Sequence, residues 1–94
     1  MRIEHWVLLN SYFQVVSPNK PLFCRIRGLV YGNPLFEDGQ QVVTSYVIAT
    51  KNGKVVTRSD SQYELGVPDK DYQKTFPFDV KQAMMANLPQ LSAS

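Results

Sequence analysis

The stretch VVTSYVIATKNGKVVTRSDSQYELG, residues 42–66, decides the fold. Short runs of β-branched and aromatic residues are separated by Asn52-Gly53 and by Asp60-Ser61, so the segment reads as three strands joined by two tight turns. Asn-Gly is the preferred pair for a two-residue type I′ turn, because both positions need positive φ. That turn pairs Lys51 with Lys54, Ala49 with Val56, Ile48 with Thr57 and Val47 with Arg58. A second two-residue turn at Asp60-Ser61 would set Arg58 across from Tyr63 and Val56 across from Leu65. One face then carries Val47, Ala49, Val56 and Leu65, with Arg58 and Tyr63 at its rim. Tyr46, Ile48, Thr57 and Glu64 fall on the other face. An arginine thus stands where the alternation asks for an apolar residue.

Working outward, Ile3–Leu9 and Tyr12–Val16 predict one bent strand or two short ones, and 17–21 breaks the ladder with two prolines. In Leu22–Tyr31 the residues Leu22, Cys24 and Ile26 alternate with Phe23, Arg25 and Arg27, the pattern of a half-buried strand. Gly28 within it predicts a bulge or a close backbone approach. Gly32-Asn33-Pro34 and Glu37-Asp38-Gly39 predict turns. Beyond Gly66, Val67-Pro68-Asp69 opens a short segment through Tyr72, read as a single helical turn, and Phe76-Pro77-Phe78 is expected to be extended. A helix is predicted over 79–88, with Asp79 as N-cap, Gln82 completing a capping box, and Val80, Met84 and Leu88 on one face. The tail 89–94 is expected to fray. The fold class is mainly β: one domain over 1–88, a small curved antiparallel sheet or β-barrel of five to six strands with a C-terminal helix.

Composition sets the remaining bounds. A 94-residue chain, 44% hydrophobic and 12% aromatic, has room for one core of thin margin, so a homo-oligomer is expected. The formal charge of +2 is scattered along the chain, which does not indicate nucleic acid; a small barrel using Arg25, Arg27 and exposed aromatics is the form such binding would take. With Cys24 the only cysteine there is no intrachain disulfide, and neither a signal peptide nor an apolar run of roughly 20 residues is evident, so a cytoplasmic protein is expected.

No constellation supplies catalysis. His5 is the only histidine, and Cys24 alternating with Leu22 and Ile26 reads as a small core hydrophobe rather than a nucleophile. One cysteine and one histidine do not make a structural zinc site, and Asp38, Asp69 and Asp71 lack the spacing of a calcium loop, so neither metal nor cofactor is expected. The cluster that suggests a ligand is Arg58 with Tyr63, Thr57, Ser59 and Ser61, joined by Ser45 and Thr44 from the neighbouring strand. A guanidinium holds a phosphate or carboxylate with two parallel hydrogen bonds, a tyrosine face stacks on a base, and hydroxyls complete the donors. Arg58 stacked on Tyr63 with its charge in solvent would also explain the pair without any ligand.

The segments GLVYGNPLFEDGQQVVTSYVI and VVTRSDSQYELGVPDKDY resemble small, mostly uncharacterised proteins of bacterial and phage genomes. The matching residues are Gly28, Tyr31, Gly32, Pro34, Phe36, Asp38, Gly39, Thr44, Ser45, Thr57, Ser59, Tyr63 and Leu65-Gly66, and the resemblance spans 28–72. It implies a small protein that inhibits or titrates a host factor or signal rather than an enzyme. Two binding readings result: capture of an anionic, nucleotide-like ligand at Arg58 and Tyr63, or a protein-interaction module using an aromatic surface patch drawn from Trp6, Phe13, Phe23, Phe36 and Phe76.

Overall fold

The computed structural model describes residues 1–20, 22–51 and 54–82. The chain is mainly β, with 44% of the described residues in strands. In order it forms β1 (Arg2–Leu9), β2 (Val15–Val16), β3 (Arg25–Tyr31), β4 (Gln40–Val43), β5 (Val47–Lys51), β6 (Lys54–Thr57), β7 (Gln62–Leu65), α1 (Lys70–Thr75) and α2 (Pro77–Gln82). The seven strands make one mixed sheet ordered β4-β3-β1-β7-β6-β5, with β2 on β1. It does not close into a barrel, and β1 with β7 is a parallel pair, where a wholly antiparallel sheet was expected.

β1 is the spine. β3 runs antiparallel along one of its edges, while β7 takes the first half of the other edge and β2 the second half. Its alternation is interrupted once: Glu4 pairs with Leu29 and Val7 with Arg27, so His5 and Trp6 together face Gly28. His5 is the kinked residue, at φ 51°. The extra residue turns Trp6 and Leu8 to the same face as Ile26 and Val30. A Cβ on Gly28 would come within 2.7 Å of the Glu4 carbonyl oxygen, which is why glycine stands across from the bulge. The close approach expected at Gly28 is therefore real, with the inserted residue on the partner strand.

Trp6, fully buried, donates from Nε1 to the Gly66 carbonyl at 2.8 Å and meets the ring of Tyr72 edge to face. Around it the core gathers Ile3, Leu8, Ile26, Val30, Val47, Val55, Tyr63 and Val80. Gly66 leaves space that Glu4 fills: a Cβ there would overlap the carboxylate, which accepts from the Val67 amide and pairs with Arg2.

The register of the 42–66 segment holds at one end and slips at the other. Lys51 pairs with Lys54 and Ala49 with Val56, as the turn at residues 52 and 53 requires, although that turn lies outside the described residues. Ile48 is then an extra residue, and Val47 pairs with Thr57 rather than with Arg58. The second hairpin closes through a three-residue loop, Arg58-Ser59-Asp60, not the two-residue turn expected. The Thr57 amide donates to Ser61, the Asp60 amide donates to Thr57, and Asp60 is left-handed at φ 67°. This is the turn-plus-bulge hairpin that aspartate tolerates. Tyr63 accordingly faces Val55, and Gln62 faces Val56. The core face is Val47, Val55, Thr57 and Tyr63, whereas Ala49 is exposed. Arg58 was never on an apolar face: it belongs to the loop.

The C-terminal region also differs from expectation. Asp69 caps α1 by accepting from the amides of Asp71 and Tyr72, so the acidic helix start is as read, but the helix continues to Thr75. Phe76-Pro77-Phe78 is not extended, because Pro77 opens α2. Proline favours a first helical position, where its missing N–H costs nothing. Asp79 therefore lies in the first turn instead of capping it, and accepts from the Ser17 hydroxyl. Residues 83–88 of the predicted helix and the tail 89–94 lie outside the described residues. Among the described residues no helix is long and apolar enough to cross a membrane.

Candidate functional site

Two places collect functional side chains. The first is the seam where the sheet fails to close. Residues 40–51 run as one bent stretch, the first part paired with β3 and the last with β6, and Thr44-Ser45-Tyr46 is the corner. The Thr44 hydroxyl oxygen accepts from the Ile26 amide at 3.1 Å, and Arg58 donates its amide to Tyr46 at 2.8 Å, so the corner is tied to both neighbours. A concavity of about 310 Å³ opens there, lined by Asn33, Phe36, Val42, Thr44, Ser45, Ser59, Ser61 and Tyr63 among others.

Five of the seven residues singled out from sequence line that concavity: Thr44, Ser45, Ser59, Ser61 and Tyr63. The Ser45 hydroxyl donates to Ser59 Oγ at 3.3 Å and accepts from the Ser59 amide at 3.1 Å, and Ser59 Oγ lies 3.5 Å from Ser61 Oγ. Thr57 is fully buried, its hydroxyl 3.1 Å from Ser59 Oγ, so it supports the cluster from below without reaching a ligand. Tyr63 is 4% exposed, and its hydroxyl accepts from Asn33 Nδ2 at 3.1 Å. Its ring packs in the core and leaves little surface for stacking. Arg58 is exposed in the loop beside Ser59 and does not line the concavity.

The second place is an aromatic and cationic face that the sequence reading only touched. The Arg25 guanidinium lies over the Tyr46 ring, 4.4 Å from its centroid, and over the Phe13 ring, 5.0 Å from its centroid. Its Nη1 reaches the Thr44 carbonyl at 3.4 Å, while Nε is buried without a hydrogen bond, so the ring faces supply much of the compensation for its charge. Phe13 and Phe23 are 59% and 71% exposed, and both hold left-handed backbone, at φ 62° and 66°. For a bulky L-residue that conformation costs about 1–2 kcal/mol. Of the other aromatics named for a surface patch, Trp6 is buried and Phe76 packs against the core. Tyr46 was missed because Ile48 is an inserted residue, which uncouples the two sides of the corner. Asn33 was missed because it reads only as a turn residue.

Cys24 is half-buried against the core, its thiol donates to the Lys20 carbonyl, and burial pushes its pKa up, away from thiolate chemistry. Among the described residues no group of three His, Cys, Asp or Glu side chains is placed to hold a metal ion. Comparison of the chain with family models, with curated proteins and with solved structures returned no match.

Proposed function

We propose that the protein is a non-enzymatic binding module that captures a partner protein through the Phe13–Arg25–Tyr46 face. The carrying observation is the Arg25 guanidinium held over the Phe13 and Tyr46 rings, with Phe13 displayed to solvent on unfavourable left-handed backbone. Aromatic residues and arginine dominate the energetic centres of protein interfaces, and strain kept at exposed side chains points to use. The resemblance over 28–72 supports a host factor of a bacterial or phage setting as the partner. The test is retention of bacterial lysate proteins on immobilised wild type and on an Arg25→Glu, Phe13→Ser variant of unchanged circular dichroism. One discrete protein held by wild type and lost by the variant is the expected result. Equal retention by both ends the proposal.

A second reading is favoured by the convergence of the Ser45, Ser59 and Ser61 hydroxyls beside the Arg58 loop. There an anionic, nucleotide-like small molecule would be held by Arg58 through phosphate and by the hydroxyls, without stacking on Tyr63. Calorimetry with a panel of cyclic and linear nucleotides, on wild type and Arg58→Ala, decides it: no heat of binding from wild type removes this reading.

A further inference from the structure

The two ends of the open sheet are built differently. At one end β5 carries an inserted residue at Ile48 and a lysine at Lys51, and Val47 is tied to Phe23 and Cys24 by backbone hydrogen bonds. Bulges and lysines are devices that keep an edge strand from pairing with another chain. At the other end β4, Gln40-Gln41-Val42-Val43, has no charge, no proline and no break in its register with β3. Its Thr44 neighbour donates its amide to Ile26, so by the alternation of an antiparallel ladder Val42 and Thr44 bond toward β3. Gln41 and Val43 then direct their N–H and C=O groups away from the sheet. Val43 is 43% exposed, and the apolar side chains of Leu35 and Phe36 are exposed in the preceding turn.

We propose that β4 is a self-recognition edge, pairing antiparallel with β4 of a second copy of this chain about a two-fold axis through Val42. That register places Gln41 opposite the second copy's Val43 and the reverse, and each such pair exchanges two hydrogen bonds, about four in all. Two-fold pairing sets a strand against itself, so a charge at position 42 would meet its like at about 5 Å and a charge at position 41 or 43 would lie about 7–8 Å from its like on the diagonal. Gln40–Val43 carries none, which a self-pairing edge requires and an edge for a charged peptide does not. The Ser59 loop, bonded to Ser45, ends the pairing at one side and holds it to the length of β4.

The experiment is sedimentation velocity from micromolar to near-millimolar protein. Wild type is expected to form a dimer as concentration rises, and Gln41→Pro and Val43→Pro, each removing an outward N–H without touching the β3 ladder, are expected to stay monomeric with unchanged circular dichroism. Ile48→Lys, on the opposite edge, is expected to dimerise like wild type. A wild type monomeric throughout overturns the proposal, as does a folded proline variant that still dimerises, or loss of the dimer through Ile48→Lys. Should both proline variants misfold, amide exchange on wild type decides: protection at Gln41 and Val43 that does not rise with concentration overturns it.

Discussion

Two inserted residues shape the sheet, one in its central strand and one at its edge. His5 widens β1 opposite Gly28, and Ile48 widens β5 beside Thr57. Each inverts the side-chain parity of the residues beyond it, because a strand has a period of two. At the centre the inversion delivers Trp6 into the core; at the edge it delivers Val47 and Thr57 inward and leaves Arg58 in a loop. The central insertion is locked by packing on both edges of β1, whereas Ile48 is exposed on a strand with one full neighbour. The same device is structural in one place and nearly free in the other.

The difference can be broken most severely at Trp6. Trp6→Ala is expected to cost about 3–5 kcal/mol, most of the stability of a domain this small, and urea denaturation should show a largely unfolded protein at room temperature. A midpoint close to that of wild type would mean that the central bulge does not organise the core. Tyr72 sharpens the comparison at intermediate size. Its ring meets Trp6 and its hydroxyl donates to the Val16 carbonyl, and burial holds the phenol's pKa well above its ordinary value of 10. The folded state therefore keeps a proton that the unfolded chain releases, so this contribution is complete below pH 10 and falls as pH rises beyond it. Tyr72→Phe should lose about 1 kcal/mol at neutral pH and show a shallower alkaline decline. An unchanged alkaline slope in the variant would assign the decline to other groups. Ile48→Thr is the smallest: within about 0.5 kcal/mol of wild type by the same denaturation, and a loss comparable to that of Tyr72→Phe would show that the edge bulge is packed after all.

The same division separates the legible parts of the sequence from the illegible. The mainly β class, the strand at 25–31 and the pairing nearest residues 52 and 53 were legible, because β-branched runs and turn residues report locally. Gly28 announced a bulge, since glycine is needed where a backbone comes close. No residue type marks the insertion at Ile48, and Asp60 permits either a two-residue or a three-residue loop, so the Arg58–Tyr63 pairing was one choice between near equals. The parallel pairing of β1 with β7 joins segments sixty positions apart and leaves no local trace. Ser45, Ser59 and Tyr63 were brought to one concavity even so, because Ser45 and Ser59 both sit where β5 and the β6–β7 loop leave the ladder. The Arg25 stack depends on Phe13 from a distant loop, and spacing could not reveal it.

The division of one edge of β1 between β2 and β7 also has a consequence in time. As the chain leaves the ribosome, β1 can pair at once with β2 and soon with β3, yet half of one edge must wait until residues 62–67 have emerged. Until then Trp6 lacks both its Gly66 acceptor and the Tyr72 ring, and a loop of some sixty residues remains to be closed. Closing long loops is the slow part of folding for sheet proteins. A nascent chain halted before Gly66 would therefore expose the largest side chain of its core, which makes the interval before Gly66 and Tyr72 emerge the one in which a chaperone matters most.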